Sequence, residues 1–75
     1  MKGNIILRWE NIFSGETGFV QSVSKTKGYF INTVSPREAK GYTSQKQVET
    51  DLEILHLVGE TQNNNFFMDY RSNYI

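Results

Sequence analysis

Few side chains in this sequence combine the type and the spacing that chemistry demands. Glu49 and Glu53 stand four apart, the interval that puts two carboxylates on one face of a helix, where a pair can share acid and base work or grip a metal ion. No histidine accompanies them at ligand spacing, and carboxylates on the polar side of an amphipathic helix are ordinarily solvated. The single histidine, His56, falls in the last turn of the same segment, where the helix dipole favours a cation and no nucleophile is near in sequence. With no cysteine there is neither a thiol nucleophile nor a disulfide, and one histidine cannot complete the four Cys or His ligands of a structural zinc site. No serine sits in a Gly-x-Ser-x-Gly elbow. The sequence therefore nominates no catalytic, cofactor-binding or metal-binding residue, and the expectation is a non-enzyme that carries no cofactor.

Two further features have a chemical outline. Gly15-Glu16-Thr17-Gly18 traces the Gly-x-x-Gly form of loops that grip nucleic-acid phosphates, but those loops join two helices and hold a basic residue between the glycines, where this one carries Glu16 between two strands. Asp51 falls angularly between Leu55 and Val58, at the margin of the apolar stripe of a helical pattern. A carboxylate there must reach water or find a partner such as Arg8, a tyrosine hydroxyl or a backbone N–H, because burial alone would raise its pKa and cost several kcal/mol. A structural border residue is the favoured reading.

The elements that position these groups follow from periodicity. Asn4–Asn11 carries β-branched and aromatic residues without a helical apolar period and reads as a strand with Ile5, Leu7 and Trp9 on one face. Ser14–Gly18 is a turn, Phe19–Ser24 a second strand, Lys25–Gly28 a second turn and Tyr29–Val34 a third strand, together an antiparallel meander. Ser35-Pro36-Arg37-Glu38 spells one helical turn ending at Gly41. Ser44 and Gln47 form a capping box for a helix over Gln45–Val58 that stops at Gly59, with Val48, Leu52 and Leu55 in its stripe, flanked by Ile54 and Val58. A last strand covers Phe66–Arg71, antiparallel or parallel, before a frayed tail at residues 72–75. The fold class is thus α+β: a single domain over residues 1–75, a two-layer sandwich of order β-β-β-α-β with the helix on one sheet face.

Composition bounds the partners. Eight basic residues balance eight acidic ones, so the basic excess that drives binding to duplex nucleic acid is missing. The longest apolar run, Ile5–Leu7, is far below the ~20 residues that cross a bilayer, and the N-terminus lacks a secretory stretch, which points to a soluble, cytoplasmic protein without a membrane partner. The surplus lies in the aromatics, which make up 13% of the chain. Those landing on the sheet face away from the helix, from the set Tyr29, Tyr42, Phe67 and Tyr74, would form a patch for a partner protein, a second copy included. Alternatively they would stack the bases of a single strand with Lys25, Lys27, Arg8 and Arg71 as cations.

Residues 28–44 read GYFINTVSPREAKGYTS. A strand ending in Phe-x-Asn-Thr, then Glu-Ala-Lys-x-Tyr and a Ser-capped helix, resembles a pattern in small proteins of phages, prophages and other mobile elements of low-GC Gram-positive bacteria. The resemblance implies a structural role for Ala39 and Tyr42 beneath the helix start, and a context in which small proteins bind and inhibit a host or defence protein. The expected function is accordingly a small non-enzymatic protein-binding domain, with a single-stranded nucleic-acid binder as the alternative.

Overall fold

The computed structural model of the chain describes residues 3–75, with backbone alone for residues 58–62. The elements run β1 (Ile5–Asn11), β2 (Thr17–Ser24), β3 (Tyr29–Thr33), α1 (Gln45–Gln62) and β4 (Asn64–Tyr70), followed by a 3-10 turn at Arg71–Asn73. They form an α+β domain of order β-β-β-α-β with a four-stranded antiparallel sheet in the order β3-β2-β1-β4. The placement that sequence left open is settled by the β1–β4 ladder, which is antiparallel and runs without a break from Ile5 opposite Tyr70 to Asn11 opposite Asn64.

Register assigns the faces. Ile5, Leu7 and Trp9 point to the helix with Phe66 of β4, Val20 and Val23 of β2 and Phe30 of β3, and α1 covers them with Val48, Leu52 and Leu55. The sheet is curled enough that Phe30 and Phe66, from opposite edge strands, meet edge to face at 5.0 Å, with Trp9 against Phe30 at 6.2 Å. Such aromatic pairs add about 1 kcal/mol each to the area they bury. The expected helix stripe is therefore the core stripe, while Val58 lies outside the described side chains.

The helix starts at Gln45 as expected, and its end moved for an identifiable reason. The helix passes through Gly59 to Gln62, because one interior glycine costs only about 1 kcal/mol, and it ends at Asn63, whose φ of 60° is the left-handed conformation that asparagine tolerates. Asn63 C=O then accepts Ile12 N–H at 2.9 Å, tying the helix end to the β1–β2 turn. At the other end Ser44 Oγ accepts Gln47 N–H at 3.4 Å as the expected cap, but the Gln47 side chain reaches back to Thr43 N–H rather than to that of Ser44.

The segment after β3 departs most from expectation. Ser35–Gly41 is not a helical turn: Glu38 N–H donates to Ser35 C=O at 3.1 Å in a single tight turn, and the chain then runs extended. β1 and β2 pair only from Arg8 opposite Phe19 to Glu10 opposite Thr17 and then part. Residues 40–42 occupy the gap: Lys40 N–H donates to Val20 C=O at 2.9 Å and Tyr42 N–H to Ile5 C=O at 2.8 Å. The wedge carries the chain from one sheet face to the other, so that Ala39 is buried with Ile6 and Phe19 on the outer face while Tyr42 is buried beneath α1. Gly41 crosses Gly3 so closely that a Cβ on Gly41 would lie 2.5 Å from Gly3 N, which leaves glycine as the residue that fits.

The tail expected to fray is pinned instead. Arg71 N–H donates to Asn4 C=O at 2.7 Å, Ser72 N–H to Asn4 Oδ1 at 3.0 Å, and the Arg71 guanidinium donates to the carbonyls of Pro36, Arg37 (3.2 Å), Ala39 (2.9 Å) and Gly3 (3.2 Å). One planar cation thus satisfies carbonyls from two strands of chain that meet at the Gly3–Gly41 crossing. The outer sheet face, expected to be bare, is in consequence partly roofed by the Ser35–Gly41 segment and by the tail.

Candidate functional site

Of the four aromatics proposed for a docking patch, the structure separates one from the rest. Tyr42 is 2% exposed and belongs to the helix-side core, so it is withdrawn from the outer surface. The wedge is the reason: a residue that bridges Ile5 shares the face of Ile5, which is the helix face. Tyr29, Phe67 and Tyr74 do reach the outer side. Two of them are already engaged there, since the Arg8 guanidinium lies over Phe67 at 5.0 Å and over Tyr74 at 5.7 Å, and Tyr74 packs edge to face on Phe19 at 5.0 Å. Tyr29 is 42% exposed.

Tyr42 and Asp51 instead build a buried polar cluster. Asp51, 3% exposed, accepts the Tyr42 hydroxyl at 2.5 Å and the Lys40 ammonium at 2.8 Å, both on Oδ2. Burial pulls the Asp51 pKa up, but the bonds from Lys40 and Tyr42 and the charges of Lys40 and Lys25 outweigh it, and the net direction is down. Burial, reinforced by the adjacent carboxylate, pushes the Tyr42 hydroxyl well above the ordinary tyrosine value. Over this cluster lies an open depression of about 310 Å³ that also reaches Lys25, Gln47 and Thr50. An anion matched by a cation and a phenol is a poor general base, and a phenol held protonated is neither acid nor nucleophile near neutral pH. The cluster joins the wedge to α1, and of the partners that sequence offered for Asp51 a tyrosine hydroxyl is the one used.

On the outer face Asp69 gathers a second network. It accepts from the Tyr74 hydroxyl, from Tyr70 N–H and Asn73 Nδ2 at 2.8 Å each, and from Arg8 at 3.4 Å. The Tyr74 bond is the leading cause that holds the Asp69 carboxyl down to about 2, and the same bond raises the Tyr74 hydroxyl. Arg8 and Arg71, two of the four cations named for stacking on a single strand, are thereby committed inside the fold. Glu49, Glu53 and His56 all lie exposed on α1, and among the described residues no three His, Asp or Glu side chains converge as metal ligands.

What remains turned outward is β3. Its outer row of backbone N–H and C=O groups pairs with no other strand among the described residues, and Ile31 (49%) and Val34 (85%) join Tyr29 as exposed apolar side chains. Sequence reasoning named Tyr29 and passed over Ile31, although the two-residue period of a strand places both on one face. A second apolar point is the β1–β2 turn, where Ile12 and Phe13 are exposed on a backbone held by Asn11 Oδ1, which accepts Phe13 N–H at 3.0 Å and Ser14 N–H at 2.9 Å. Among the described residues no helix is long and apolar enough to cross a membrane. The class defined by these features is a small α+β domain with one uncovered, uncharged sheet edge. No protein family, curated protein or solved structure matches the chain.

Proposed function

We propose that the protein is a non-enzymatic protein-binding domain of the cytoplasm that takes an extended segment of a partner protein along the outer edge of β3. The observation that carries this reading is that edge itself. Native edge strands are ordinarily blunted by a charge, a proline or a bulge, whereas Tyr29–Val34 contains neither charge nor proline and the sheet's bulge lies on β2, between Val20 and Ser22. Main-chain hydrogen bonds supply affinity in this mode, and contacts with the exposed side chains of Tyr29, Ile31 and Val34 supply selectivity. The nucleic-acid reading is the weaker one, because commitment of Arg8 and Arg71 leaves Lys25 and Lys27 as its cations, and phosphate neutralisation is what drives such binding. The resemblance of residues 28–44 to proteins of mobile elements supports seeking the partner among host or defence proteins.

The test is affinity capture with wild-type and Ile31→Lys baits, followed by titration of the purified captured protein. Wild type is expected to bind at least about tenfold more tightly than the variant, since a lysine on an edge strand blocks strand addition. Equal binding by the two, or binding only of a labelled single strand at low salt, would overturn the reading.

A further inference from the structure

The geometry points to the open depression over Lys40, Tyr42 and Asp51 as a binding site for a small organic oxyanion, a carboxylate or a phosphate monoester, held between the ammonium groups of Lys25 and Lys40. The site draws on none of the exposed residues of the β3 edge, so it stands whether or not that edge takes a strand. At about 310 Å³ the depression has the size of the smaller pockets that take small molecules. Its two ammonium groups face one carboxylate, which leaves one positive charge for a ligand to match.

The polar groups around it are set to donate. Asp51 spends Oδ2 on Lys40 and on the Tyr42 hydroxyl, and with its side chain 4% exposed it offers the depression little acceptor surface. Lys40 is far more open, and only one of the N–H groups of its ammonium is committed to Asp51. That bond, with the Tyr42 ring 5.0 Å from Lys40 Nζ, holds the ammonium in place, so a ligand need not order it. Gln47 is oriented too. Its Oε1 accepts Thr43 N–H at 3.3 Å and the Thr43 hydroxyl at 3.4 Å, which assigns the other end of the amide as a donor, and that end is unpartnered among the described residues. Lys25 completes the set, since among the described residues its ammonium has neither an ion pair nor a hydrogen bond. Two ammonium groups and an amide donor, beside a carboxylate already matched, select an anion over a cation.

Nuclear magnetic resonance titration of the isotope-labelled chain with inorganic phosphate and, separately, with succinate, at neutral pH and constant ionic strength, tests this. Saturable amide shifts are expected at Gly41, Gln47 and Thr50, with a dissociation constant on the order of 1 mM because the ammonium contacts are screened by solvent. The anion that saturates at the lower concentration fixes the ligand as a phosphate ester or a carboxylate. Lys25→Gln breaks no bond of the fold, so it is expected to melt as wild type does and to weaken binding by about threefold or more. Lys27→Gln, in the same turn but outside the depression, is expected to bind as wild type does. Should Lys25→Gln melt early, Gln47→Glu serves as the second variant: its carboxylate can still accept from Thr43, and its charge opposes the anion. Shifts that fail to saturate by about 50 mM, or an equal loss from both lysine substitutions, would mean diffuse attraction alone and overturn the inference.

Discussion

Asp51→Asn tests the buried cluster on which the junction of wedge and helix depends. Both contacts reach the same oxygen, Oδ2, so an asparagine amide oxygen can take over both bonds while removing the negative charge. A hydrogen bond to a charged group contributes about 1.5–3 kcal/mol and a neutral one about 0.5–1.5, so the buried Tyr42 bond should lose about 1 kcal/mol. The Lys40 contribution is smaller, because its side chain is 41% exposed and solvent screens it. Relief of the carboxylate's desolvation offsets part of the loss, leaving about 0.5–1.5 kcal/mol, or roughly 2–12 °C in a domain of this size. Thermal melts followed by circular dichroism at pH 7 should show that drop. The folded-state pKa of Asp51 is depressed, so the stability it contributes is complete above the ordinary carboxylate pKa near 4 and is lost as pH falls through the lower folded value. Wild type and variant should therefore converge in acid. A variant melting within about 1 °C of wild type at pH 7, or a gap that stays constant down to pH 2, would refute the paired-charge argument.

Arg71→Ala leaves the carbonyls of Pro36, Ala39 and Gly3 to water and should cost about 2–3 kcal/mol, with hydrogen exchange at the Lys40 and Tyr42 amides accelerating before that of the β1–β4 ladder; uniform acceleration across the sheet would count against a local staple. Tyr42→Phe should cost about 1.5–3 kcal/mol at neutral pH and flatten the alkaline limb of stability. The Tyr42 pKa is raised in the folded state, so its contribution is complete below pH 10 and is lost above it, as the unfolded chain gives up its proton first. Urea melts at pH 8 and pH 10.5 should show wild type losing more stability than the variant; equal losses would show that the hydroxyl is not held protonated.

The parts of the fold legible in the sequence are those written in local patterns. Val48, Leu52 and Leu55 repeat at helical spacing, and Ile5, Leu7 and Trp9 at strand spacing, so the core stripe and the helix-facing side of β1 could be read directly. What escaped depends on residues far apart in the chain. Nothing near Arg71 marks it as a partner for Gly3 and Ala39, and nothing near Tyr42 indicates that it bridges Ile5, because both facts arise where β1 and β2 part. For the same reason the outer face looked open: its roof comes from Ser35–Gly41, which read as a helical turn and whose destination was not legible. Of the candidate docking residues, Tyr29 owes its exposure to an edge strand, a consequence of strand order, which single-sequence patterns leave undetermined.

The joining of Asn4 to Ser72, 68 residues apart, has a bearing on how the chain folds. The strand that completes the β1 ladder spans Asn64–Tyr70 and follows β1 in the chain only after β2, β3 and α1. Until β4 docks, one side of Ile5–Leu7 is unpaired, in a sheet whose edge strand β3 has no charged guard. Topologies dominated by such distant pairings fold slowly, on the scale of milliseconds to seconds. Aggregation thus competes with folding until the Asn64–Tyr70 ladder closes on β1.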